Sequence, residues 1–161
     1  MRLRIPRILR QGISAWLAAK SSAIKPISPA LHQSLASGWA STDPAAAVEW
    51  VTTLSDPVLQ QEAAAPLFNA WASTGVQGLT EWIAKNSPSP LADSAREQLA
   101  LNHSDEAPAD ALAVALQITA PQQATSLGQR ILDDWKSCDL PSATQWATAN
   151  PQSAAYLKSA P

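Results

Sequence analysis

The sequence holds little of what functional sites are commonly built from. In 161 residues there is one cysteine, Cys138, two histidines, His32 and His103, five glycines, and one each of Met, Phe and Tyr. A lone cysteine forms no internal disulfide, which excludes a disulfide-stapled scaffold. The two histidines fall at different helical phases and bring no second ligand pair, so no zinc set is expected. The few glycines build no phosphate-cradling loop, and there is no Ser–His–Asp arrangement. Cys138 lies in KSCDLP with Lys136 as its nearest base, the setting of an ordinary thiol. Asp105/Glu106 and Asp133/Asp134 are adjacent in sequence, so each pair diverges around its helix or turn; solvation and capping account for them. No run approaches the roughly 18 apolar residues of a spanning helix. No catalytic, cofactor-binding or metal-ligating residue is assigned, and the chain is expected to be non-enzymatic.

What the chain has instead is alanine, proline and tryptophan: 32 Ala, 13 Pro and 7 Trp. Six of the tryptophans form pairs eleven residues apart: Trp39/Trp50, Trp71/Trp82 and Trp135/Trp146. The second pair repeats the first one period on, and the third lies two further periods along. The missing copy falls on His103 and Val114. A period of this size marks a stacked array. The seventh tryptophan belongs to a half repeat, because QGISAWLAAK (11–20) matches QGLTEWIAKN (77–86) with Gly12/Gly78 and Trp16/Trp82 in step.

Each full repeat reads as two helices. First helices are expected near 29–40, 57–72, 90–104 and 121–136, with apolar stripes Leu31/Leu35/Trp39, Ala63/Leu67/Trp71, Ala95/Leu99/His103 and Leu127/Ile131/Trp135. Pro29, Pro57, Pro90 and Pro121 suit first helical positions, where the amide is unpaired anyway. Ser28, Asp56, Asp43 and Asp139 suit caps. Second helices carry Ala47/Trp50/Val51/Leu54, Leu79/Trp82/Ile83, Ala111/Val114/Ala115/Ile118 and Ala143/Trp146/Ala147 on one stripe. Pro66 should bend its helix. The third copy, without either tryptophan, makes 90–118 the softest interior segment expected.

The fold class expected is therefore all-α: an α/α solenoid of about four 32-residue helical hairpins plus an N-terminal half repeat. A basic arm (1–9) leads into the repeat domain (10–161), made of the half repeat 10–20, repeats at about 28–54, 56–86, 88–118 and 120–150, and a stub at 151–161. Trp16, Trp39, Trp50, Trp71, Trp82, Trp135 and Trp146 are expected to form its structural core. A stacking platform for sugars or bases is the alternative reading of the indoles.

Charge is unevenly spread. Residues 1–42 carry six bases (Arg2, Arg4, Arg7, Arg10, Lys20, Lys25) and no acid, whereas 43–161 carry five bases against thirteen acids, a net −8. Such a body repels phosphate, so no nucleic-acid partner is expected. The basic start has three readings: a solvated end-cap, a secretory signal within 1–23, or a contact with membrane or nucleic acid through residues 1–10. The location expected is cytoplasmic, or exported if 1–23 acts as a signal segment.

The two-helix unit resembles the tetratricopeptide-like group of helical-hairpin repeats. It differs from them in its period of 32 rather than 34 and in the Ala47–Trp50 spacing of three. Trp39–Trp50, WASTDPAAAVEW, is also similar to WAxxDPxAAxxW tandem repeats of uncharacterised bacterial proteins. These resemblances imply a bacterial scaffold and no activity. The expected function is a protein–protein or peptide interaction scaffold without cofactors, its groove lined by Gln33, Asn69, Glu97, Gln129 and Asp133. The alternatives are a peripheral membrane or envelope protein tethered by the arm, and an accessory part of a longer repeat protein. Stacking end to end on further copies is a further expectation, since both ends read as half units.

Overall fold

The computed structural model describes residues 29–158. The basic arm, the half repeat with Trp16 and the signal reading of 1–23 lie outside the described residues. Every regular element among them is a helix. In chain order these are α1 (Pro29–Ala40), α2 (Pro44–Thr52), α3 (Pro57–Thr74), α4 (Val76–Asn86), α5 (Pro90–His103), α6 (Pro108–Ala115), α7 (Pro121–Cys138), α8 (Leu140–Ala149) and α9 (Pro151–Lys158). None is long and apolar enough to cross a membrane.

Proline stands in the first turn of eight of the nine described helices, and in four of them a short polar side chain caps the start. Asp43 accepts from Ala46 N at 3.2 Å, Asp56 from Val58 N at 2.9 Å, Ser89 from Ala92 N at 3.1 Å and Asp139 from Ser142 N at 3.1 Å. Each cap satisfies an amide that the first helical turn leaves orphaned. Pro66 does not interrupt α3, which runs unbroken to Thr74. The bond to the Glu62 carbonyl is lost, yet buried Ala63, Ala64, Leu67 and Phe68 on either side hold the turn in place.

First helices pack on first helices, α1 with α3 and α3 with α5, while each second helix sits between the first helices before and after it. The α3–α5 pair is parallel and in register. Gln61 Nε2 donates to Ser94 Oγ (2.5 Å) and Asn102 Nδ2 to Asn69 Oδ1 (3.4 Å), both across an offset of 33 residues. Between α5 and α7 this extended packing is missing. The bonds that join them, Thr119 to Asp93 and Gln123 to Glu97, span 26 residues. The helix starts are 33 residues apart for α3 and α5 and 31 for α5 and α7, so five residues of the difference are a slide, roughly 7–8 Å at about 1.5 Å of rise per residue.

The core divides at the same place. One cluster runs from Ala36 to Leu99 and the other from Ala100 to Leu157, with Val114 packed against both. Helix α5 is the shared wall, since Leu99 and Ala100 project about 100° apart around it. Val114 and His103 stand where the other repeats carry their tryptophans. Leu35, expected on the apolar stripe, is 38% exposed.

Candidate functional site

The indoles pair within hairpins. Ring centroids lie 6.3 Å apart in Trp39/Trp50, 6.2 Å in Trp71/Trp82 and 6.3 Å in Trp135/Trp146. All three pairs are tilted, as aromatic pairs prefer. Eleven residues is thus the distance across the turn, from the end of one helix to the middle of the next. Trp71 is buried, between Phe68–Trp82 and the backbone of Gly75 and Gly78; the others are half-buried and pack against the two clusters. His32 is buried and stacks on Trp50 at 6.0 Å. His103, half-buried, turns its Nδ1 to the Leu99 carbonyl at 3.0 Å. Cys138 is exposed at the end of α7.

The candidate groove residues lie mostly at junctions between first helices. Asn69 accepts from Asn102, which also accepts from Ser73 Oγ at 3.0 Å. Glu97 accepts from Gln123 Nε2 at 2.7 Å, and Gln129 Nε2 donates to the Leu157 carbonyl of α9. Asp133 is exposed and pairs with Lys136 one turn on at 2.8 Å, and Gln33 is half-buried on α1. So Asn69, Glu97 and Gln129 are already committed to holding neighbouring helices together.

The most concentrated polar chemistry lies at the α5–α7 junction. Arg96 Nη1 donates to Asp93 Oδ1 at 2.8 Å, and both side chains are nearly buried, at 9% and 8% exposure. Arg96 Nη2 donates to Ser87 Oγ at 2.6 Å, and Ser87 donates to the Ile83 carbonyl of α4 at 2.6 Å. On the other side the Thr119 amide sits 3.2 Å from both Asp93 oxygens, and its hydroxyl donates to Oδ2. Arg96 Nε is buried without a partner. The network therefore links the end of α4, the start of α5 and the approach to α7. Ser87–Pro88 within it is a cis peptide.

Sequence reasoning missed this network, although one signal was present. Ala92, Ala95, Arg96 and Leu99 share one helical stripe, so Arg96 occupies an apolar position. The same slot holds His32, Ala64 and Gly128 in the other copies, and all four are buried. Gly128 admits α9 so closely that a Cβ there would meet Leu157 Cδ2 at 2.6 Å. In α5 that slot holds Arg96, and α7 meets α5 through polar groups.

Among the described residues no group of three or more His, Cys, Asp or Glu could hold a metal ion. Asp139 is held below the usual carboxylate range, first by the Ser142 hydroxyl and then by the Ser142 amide. No protein-family model matches the chain, and neither a curated protein nor a solved structure matches it.

Proposed function

We propose that the chain is a non-enzymatic helical-repeat scaffold, an α/α solenoid whose first helices present a binding surface to a protein or peptide. The observation that carries this reading is the packing order: each helix rests on its near neighbours in the chain, the one-dimensional arrangement of repeat proteins. Such stacks grow binding surface by adding units rather than by deepening a pocket. The tryptophan pairs brace three of the hairpins, and the small residues Ala64 and Gly128 admit the next helix.

Of the groove residues, Gln33 and Asp133 are the best available to a partner, because Asn69, Glu97 and Gln129 bridge helices. The test is a binding titration against a partner identified by crosslinking to the intact chain. Gln33→Ala with Asp133→Ala weakens binding at least tenfold, the worth of about 1.4 kcal/mol, while the helical circular dichroism signal stays unchanged. Undiminished affinity in that variant defeats the first-helix surface.

A further inference from the structure

Helices α1 to α5 pack around one cluster and α6 to α9 around another; α6 stays closely packed on α5, whereas α7 barely touches it. Three independent features meet where the halves join. The apolar core narrows to the shared wall of α5 and to Val114. The bonds from Thr119 and Gln123 reach α5 across 26 residues, against 29 to 33 between α3 and α5. The polar groups there concentrate on Asp93, which accepts from both the amide and the hydroxyl of Thr119 and is itself held by Arg96. An apolar seam tolerates small rotations, whereas a carboxylate taking several aligned donors fixes one geometry.

We propose that this junction is a latched hinge. Residues 29–99 and 108–157 form two units, and the Asp93–Thr119 clasp, seconded by Glu97–Gln123, holds them at one mutual angle. Release of the clasp lets the second unit swing about α5 while both clusters stay intact. Thr119 and Gln123 are positioning residues, acting through Asp93 and Glu97. For a repeat scaffold this adjusts the angle between the two halves of its surface to what it binds. The latch itself requires no partner, so its test stands apart from that of the binding reading.

The experiment is a spin-label distance measurement between exposed Cys138 on α7 and a label at Glu62→Cys on α3, paired with amide exchange of residues 108–157. The otherwise unaltered chain gives one narrow distance distribution. Thr119→Val adds a second population and raises the opening constant of 108–157 about tenfold, the low end for a lost hydrogen bond to a charged group. Exchange in 29–99 stays as it was, and Thr119→Ser restores the single distance. Should Thr119→Val fail to fold, Gln123→Ala decides, with the same broadening in smaller measure. An unchanged distance distribution in the folded variant, or equal loss of protection in both units, overturns the hinge.

Discussion

Leu157 closes on Gly128 so tightly that a β-carbon on the glycine would fall 2.6 Å from Leu157 Cδ2, with Cδ1 and Cγ both at 3.7 Å. This contact seats α9 on α7, together with the bonds from Gln129 to the Leu157 carbonyl and from the Tyr156 hydroxyl to the Pro121 carbonyl at 3.3 Å. Two effects oppose each other in Gly128→Ala. Alanine favours the helix by about 1 kcal/mol, while overpacking costs about 1–3 kcal/mol. The gain belongs to α7 and the cost to α9. Gly128→Ala is therefore expected to lower amide protection across 151–158 and leave α7 as protected as before. Leu157→Ala, which empties the space, should make Gly128→Ala harmless to α9; a double-mutant cycle measures that coupling.

The tryptophans differ in burial and should differ in cost. Trp71 is buried among Phe68, Trp82 and two glycines. Trp71→Ala should lose about 3–5 kcal/mol in a urea unfolding titration. Trp146 is half-buried on the smaller cluster and should lose clearly less. Equal losses would place the indoles outside the role of core.

The pair Asp93–Arg96 is nearly buried, and removing one member leaves the other charge stranded. Asp93→Ala is expected to cost about 3–5 kcal/mol of stability. Replacing both, as Asp93→Leu with Arg96→Met, should cost less than Asp93→Ala alone, because no charge is left unpaired. Denaturant midpoints of the two variants at equal slope decide the order.

Asp139 caps α8 and has its carboxyl pKa lowered from 3.8 by the Ser142 hydroxyl and amide. A depressed folded value means the cap stabilises α8 above the unfolded pKa and loses that contribution as pH falls through the folded one. Protection of the Ser142 and Ala143 amides should fall on acidification below pH 3.8 in the unaltered chain. It should be lower and flatter with pH in Asp139→Ala. A pH profile identical in both would remove the cap from the account.

Much of this architecture was legible because it repeats. The Trp pairs recur at a fixed phase in three copies, Asp43 and Asp139 share a phase, and a proline stands near each first-helix start, so the copies corroborate one another. What did not repeat stayed hidden. Thr119 meets Asp93 across 26 residues, an offset that the 32-residue period does not contain, and Arg96 stands where other copies carry His, Ala or Gly. Leu35 read as core because periodicity marks a face without saying whether a neighbour covers it. The groove residues were legible as polar positions on first helices, but their bonds to adjacent helices depend on the step between units, which composition and spacing do not set. Within the segment 90–118, α5 is densely buried, and its packing on α7 is thinner than that of α3 on α5.

If the units are interchangeable layers of a stack, the molecule must accept one more, and duplicating a unit tests this most directly. A second copy of residues 57–88 inserted after 88 adds one period with its own tryptophan pair. Stability of a stack is a sum of unit and neighbour terms, so the lengthened chain should keep its mean residue ellipticity and unfold at an equal or higher urea concentration. Loss of helical signal, or a lower midpoint, would show a closed fold with no room for another layer, and would contradict the account.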